Sequence, residues 1–146
     1  MLEEEILKIL LALWKEWGLD HILRKAWEQG TILAGISAGS ICWFEEGLTD
    51  SFGTSLEPIQ CLGILKGSCC PHYDGEIERK PAYKKMIDSG KIISGVAMDD
   101  GVAIHYLDQK MNKIVSSRPE AKAYEVKRID NEVIQNELEV NYLGTK

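Results

Sequence analysis

The stretch TILAGISAGSICWF, residues 31–44, carries the decision about fold and chemistry. Its first half, Thr31 to Ile36, is a short continuous apolar run, the pattern of a strand buried on both faces of a parallel sheet. Its second half opens on Ser37, Ala38 and Gly39, small residues that suit a sharp turn, and a helix is expected to begin at Ala38. Gly35-Ile36-Ser37-Ala38-Gly39 therefore fits the G-x-S-x-G pattern in the strand-turn-helix setting that gives the pattern physical meaning. A serine can project from such a turn only if its neighbours do not crowd the backbone, and the Ala38 N–H at the start of the following helix is then the first donor to an oxyanion formed there. The same pentapeptide also suits a plain strand-to-helix turn, so the flanking sequence has to decide.

Upstream, residues 3–17 place Ile6, Leu10, Leu13, Trp14 and Trp17 on one helical stripe, with Gly18 as a stop. Residues 20–28 read as a second helix, with Asp20 as N-cap and Gly30 at its end. Downstream, Cys61–Leu65 reads as a strand, residues 68–79 as a polar loop, Pro81–Ser89 as a helix with proline in its first turn, and Ile92–Met98 as a further buried strand. This is β-α-β logic. From Ala103 the texture changes to strands at Ala103–Leu107, Lys113–Ser116, Ala123–Ile129 and Val133–Val140, joined by Asp-Gln, Pro-Glu and Asp-Asn turns. The expected fold class is α/β, with a mostly parallel sheet and antiparallel strands at its C-terminal end, in a single domain spanning residues 1–146.

Composition narrows the function classes. A net charge of -6, a pI near 5.1 and the lack of any Lys/Arg cluster would repel a phosphate backbone, so no nucleic-acid partner is expected. The longest apolar run, Ile9 to Trp14, is too short to cross a bilayer, and Glu3, Glu4 and Glu5 stand where a secretory signal would carry positive charge. The expectation is a cytoplasmic protein with no membrane partner. Its four cysteines, Cys42, Cys61, Cys69 and Cys70, lack a framework spacing and are expected to be free thiols.

A serine hydroxyl needs a base, because its own pKa is far too high for it to act as an anion. His72, in Cys69-Cys70-Pro71-His72-Tyr73-Asp74, is expected in a loop at the carboxyl end of a strand, the edge of an open α/β sheet where sites collect. His21 falls in a helical pattern and His105 in a strand pattern, which suits structural roles. A third group should orient the imidazole, and Asp50, Asp99 and Asp100 all stand as candidates. A zinc site from Cys69, Cys70 and His72 is disfavoured, since adjacent cysteines lack the usual ligand spacing, and no metal or cofactor is expected.

Ser37 in GISAGS, the PHYD segment carrying His72 and the DDG turn at residues 99–101, in that order, resemble the peptidase E family of serine peptidases. The resemblance runs from about Leu10 to the C-terminus. It implies a flavodoxin-like fold related to class I glutamine amidotransferases, with helices on both faces of the sheet. It also implies that Ser37 is the nucleophile and His72 the base, and that substrates are short peptides, including dipeptides with an N-terminal aspartate. The resemblance leaves the third member between Asp50 and Asp100, and topology favours Asp100, which would share a sheet edge with His72. For such substrates Arg79 is a candidate to grip a carboxylate with its planar fork, against the simpler reading of a solvated charge at a helix start.

The family pattern also holds an additional α/β half ahead of the helix that matches Leu10 to Trp17, with a Gly-rich turn supplying a second oxyanion donor. No such turn precedes Leu10 here, so the chain is expected to lack that half, to expose apolar surface and to dimerise over it. Two functions follow. One is a serine peptidase working through an acyl-enzyme; the other is a catalytically inactive remnant that keeps the fold for binding or assembly.

Overall fold

The computed structural model describes residues 6–53 and 55–144. Three strands, β1 (Phe44–Thr49), β3 (Leu65–Cys70) and β4 (Gly95–Met98), lie side by side and parallel at the centre of a six-stranded sheet. Antiparallel strands extend it on both sides: β2 (Glu57–Gln60) pairs with β1, β7 (Ala123–Ile129) pairs with β4, and β8 (Glu132–Leu138) pairs with β7. Asp130 and Asn131, with φ of 47° and 69°, form the two-residue turn between β7 and β8 that matches the right-handed strand twist. This is the expected mixed α/β, flavodoxin-like architecture. Because β1, β3 and β4 are parallel, the segments that follow them, starting at Asp50, Pro71 and Asp99, emerge at one edge of the sheet.

Each face of the sheet has its own cover. On one face, Leu7 and Leu11 of α1 (Ile6–Glu16) and Ile41 of α3 (Ala38–Ile41) meet Phe44, Cys69, Val96 and Met98. The same cluster takes in Val102, Ile104 and Tyr106 of β5 (Val102–Leu107), which pairs with β6 (Lys110–Ser116) and β9 (Asn141–Tyr142) in a separate three-stranded sheet. On the other face, Tyr83 and Ile87 of α4 (Arg79–Asp88) pack with Leu48, Cys70, Ala97 and Val126. Tyr83 is fully buried, and its hydroxyl is satisfied by Ser68 Oγ at 2.6 Å, which removes the cost of burying a phenol. A second helix, α2 (Leu19–Glu28), packs against α1, with Gly18 rather than Asp20 at its N-cap. No helix among the described residues is long and apolar enough to cross a membrane.

Several expectations fail for physical reasons. The run Thr31–Ile36 pairs with no strand among the described residues, and Ile32 and Ile36 are 90% and 89% exposed. Apolar composition signals a strand, but a strand needs a neighbour, and none lies beside this run among the described residues. The helix beginning at Ala38 is a single turn, after which the chain turns straight into β1. β1 itself had no strand signal, since Glu45, Glu46 and Gly47 interrupt its pattern; the two carboxylates are used as ties, Glu45 accepting from Gly67 N–H at 2.9 Å and Glu46 from Ile93 N–H at 2.8 Å. The strand expected at Cys61–Leu65 begins only at Leu65 and runs to Cys70, into the segment read as a loop. On α1 the buried residues are Leu7 and Leu11, while Ile6, Leu13 and Trp17 of the expected stripe face solvent, so the helix is rolled by about one residue. Glu3, Glu4 and Glu5 lie outside the described residues.

Candidate active site

Ser37 sits at φ 50° and ψ -121°, a conformation that costs a non-glycine residue about 1–3 kcal/mol and persists only where the surroundings impose it. Here the turn is tied on its helical side: Gly39 N–H donates to Ile36 O at 2.8 Å, and Ser40 Oγ–H donates to Ser37 O at 2.7 Å. Gly35 must be glycine, because a Cβ there would run into the backbone of Gly39. The Ala38 N–H has no hydrogen-bond partner among the described residues.

His72 lies two residues beyond β3, itself at a positive φ of 58°. Its loop is pinned to the next strand by Tyr73 N–H donating to Met98 O at 3.0 Å. Its Nε2 lies 2.8 Å from Ser37 Oγ, and its Nδ1 lies 2.6 Å from Asp100 Oδ1. A carboxylate accepts, so Nδ1 is the donor toward Asp100, and in the neutral imidazole the Nε2 lone pair then faces the serine hydroxyl. The adjacency of β3 and β4 brings His72 and Asp100 to the same edge.

The other two carboxylates are held elsewhere. Asp99 turns away to accept from Lys122 N–H at 2.9 Å, and burial raises its pKa above the ordinary carboxylate value. Asp50 shares the sheet edge, but its ionic partner is Arg79, Nη2 to Oδ2 at 3.8 Å, and not His72. Arg79 is only 4% exposed and is no solvated charge: its Nε donates to Glu76 Oε2 at 2.5 Å and its Nη1 to Leu48 O at 3.2 Å. Ser37, His72, Asp50, Glu76 and Arg79 line a cavity of about 300 Å³, closed on its apolar side by Ile6, Leu10 and Ile36. The pocket therefore offers one strong cation, two carboxylates and the serine hydroxyl in a half-apolar setting.

The remaining candidates stay outside this chemistry. Burial pushes Cys42, Cys61 and Cys70 up to about 12 and Cys69 higher still, so none forms a thiolate near neutrality. His21 is exposed beside Asp20, and His105 on β5 lies 3.2 Å from Asn112 Nδ2. No group of three or more metal-ligating side chains occurs among the described residues.

Three residues of the site escaped the sequence reading. Gly75 leaves the space that the Asp100 carboxylate occupies, since a Cβ there would collide with it. Asp74 accepts from Asp100 N–H at 2.8 Å, and Arg118 donates to Asp100 O at 3.0 Å. Burial alone would raise the Asp74 pKa, but the bonds from Asp100 N–H and Arg118 outweigh it and hold the carboxyl below its ordinary value. The adjacent Asp74-Gly75 pair was a visible turn signal; Arg118 lies 44 positions further along (118 − 74) and carried none.

The chain is 56% identical over 135 residues to a protein of Bacillus subtilis (strain 168) named "Uncharacterized peptidase YgaJ". That match covers 92% of this chain and 58% of the relative, so the chain spans little more than half the relative's length. The family profile described as "Peptidase family S51" matches residues 7–114, which include Ser37, His72 and Asp100. With that profile covering well over half of its residues, the chain belongs to peptidase family S51.

Proposed function

We propose that this chain is a serine-type peptidase acting on short peptides, with Ser37 as nucleophile, His72 as general base and acid, and Asp100 as the group that orients the imidazole. The observation that carries this reading is the continuous hydrogen-bond chain from Ser37 Oγ through His72 to Asp100, at 2.8 and 2.6 Å, set on a backbone turn that exposes the hydroxyl. His72 Nε2 takes the Ser37 proton as Oγ attacks the peptide carbonyl. The tetrahedral oxyanion is stabilised by the free Ala38 N–H at the start of α3. His72 then delivers its proton to the departing amine, and water, activated by the same nitrogen, hydrolyses the acyl-enzyme.

Arg79 and its carboxylate partners supply a selectivity element for the same pocket. A buried guanidinium 3.8 Å from Asp50 can exchange that long ion pair for a shorter one with a substrate carboxylate, which suits an acidic residue such as an N-terminal aspartate. A second reading, a folded but inactive remnant used in binding or assembly, is favoured by the exposed run that leads into the Ser37 turn, here called the elbow, with Ile32 and Ile36 in solvent. That exposed apolar surface also suits a homodimer.

Hydrolysis of aspartyl p-nitroanilide separates the readings. Release of nitroaniline that vanishes in Ser37→Ala supports the peptidase, and an equal blank in the folded wild type and Ser37→Ala supports the remnant. Arg79→Met should raise KM for the aspartyl substrate more than it lowers kcat; an unchanged KM removes the selectivity role.

A further inference from the structure

We propose that Asp74 and Arg118 are positioning residues that set the distance between His72 and Asp100, acting as a clamp on the backbone of Asp100. The proposal rests on the triad reading above, and it concerns groups that touch neither Ser37 nor His72.

The clamp is a closed ring of three contacts. One carboxylate oxygen of Asp74 accepts from Asp100 N–H at 2.8 Å. The other lies 2.9 Å from Arg118 Nη1. The same Nη1 donates to Asp100 O at 3.0 Å. The N–H and the C=O of Asp100 are thus both held, and the side chain is left to meet the imidazole.

Each arm of the ring is anchored. Asp74 stands two residues after His72 in the same loop, so its bond to Asp100 ties the base-bearing loop directly to the acid-bearing turn. Arg118 is held through its own backbone, its N–H donating to the buried Ser116 Oγ at 2.9 Å and its carbonyl accepting from that hydroxyl at 2.6 Å. The turn is fixed further by Ser117 N–H donating to Gly101 O at 3.0 Å and by Asp99 N–H donating to Lys122 O at 2.9 Å. Gly75 keeps the space beside the Asp100 carboxylate open. Two glycine-flanked loops with exposed carboxylates would otherwise be free to drift, and a displacement of about 1 Å in such a constellation can cost on the order of 100-fold in rate.

The test measures both the geometry and the reactivity of the whole chain. In the wild type, a downfield proton resonance from the His72 Nδ1–H in its short bond to Asp100 is assigned by its loss in His72→Ala. Asp74→Ala and Arg118→Ala are each expected to broaden or abolish that resonance and to slow labelling of Ser37 by a fluorophosphonate tenfold or more. Far-UV circular dichroism and Tm should stay near wild type, and Arg118→Lys, which keeps a donor and the charge, should recover most of the loss. An unchanged resonance and labelling rate in both alanine variants overturns the clamp, as does the absence of any downfield resonance in the wild type. If Asp74→Ala does not fold, Arg118→Ala decides, since that side chain is 49% exposed and buries nothing essential. If the wild type is folded but unlabelled, the peptidase reading fails and the resonance alone judges the clamp.

Discussion

The two halves of the molecule that meet at Ser37 are built on opposite terms. Downstream of Ser37, the segments that follow β3 and β4 are tied to each other and to the chain beyond, through Tyr73 N–H to Met98 O, Asp100 N–H to Asp74 and Asp99 N–H to Lys122 O, and His72 is held between Ser37 and Asp100. Upstream, Ile6, Leu13, Trp17, Ile22, Ile32 and Ile36 face solvent, and the run entering the elbow joins no ladder among the described residues. Both halves are apolar in sequence. They differ in the supply of partners, and only the downstream half can hold a strained conformation by cross-strand and loop contacts.

The largest expected effect lies wholly in the downstream half. Ser37→Ala and His72→Ala should each lower kcat/KM by about 10,000-fold, and the double variant should lose no more than either alone, because the two act as a unit. Trp17→Ser and Ile32→Ser should leave kcat/KM within about twofold of wild type, since neither side chain touches the site. A large loss from either would mean that the upstream surface shapes the pocket.

Stability should divide α1 along its axis. Leu7→Ala removes a side chain that is 1% exposed and should cost about 2–5 kcal/mol, whereas Leu13→Ala, at 46% exposed, should stay within about 0.5 kcal/mol. Urea denaturation of the two variants checks this, and equal costs would show that the helix is rolled the other way. Gly35→Ala is expected to cost about 1–3 kcal/mol through collision with Gly39 and to impair hydrolysis as well, because the elbow cannot move without moving Ser37.

The smallest effect is a pH dependence. The folded-state pKa of Asp74 is depressed, so below its ordinary value the unfolded chain binds the extra proton and stability rises with pH. Its contribution is complete above the ordinary carboxylate range and is lost as pH falls through the depressed value. Asp99 has the opposite sign: its raised pKa favours the fold most below the unfolded value and less as pH rises through the folded one. Tm measured against pH should therefore fall less steeply on acidification in Asp74→Asn than in wild type, and more steeply in Asp99→Asn.

The sequence made the chemistry more legible than the fold's edges. Gly35-Ile36-Ser37-Ala38-Gly39 and Pro71-His72 were readable as a candidate site because a sharp strand-to-helix turn and a hydroxyl's base need particular small and titratable residues, and the fold brings Ser37 Oγ and His72 Nε2 to 2.8 Å. The residues alone left Asp50, Asp99 and Asp100 open; the family resemblance narrowed them to Asp50 and Asp100, topology favoured Asp100, and it is Asp100 that lies 2.6 Å from His72 Nδ1. β1 was hidden because Glu45 and Glu46 break the apolar alternation while bonding to backbone N–H groups far along the chain. Thr31–Ile36 misled for the converse reason, since composition reports what a strand could bury and says nothing about whether a neighbour is present. The simpler of the two readings of Arg79, a solvated charge, fails because Leu48 O and Asp50, about thirty positions away, join the nearby Glu76 in burying and pairing it, and no local pattern shows those distant partners.

The central claim, that Ser37, His72 and Asp100 act as one nucleophilic unit, is tested most directly by mapping the site of a fluorophosphonate adduct by mass spectrometry. The account predicts a single adduct at Ser37 in the wild type, lost in His72→Ala and strongly reduced in Asp100→Asn. A folded wild type that carries no adduct, or carries it at another serine, or still reacts at Ser37 after His72→Ala, would contradict it.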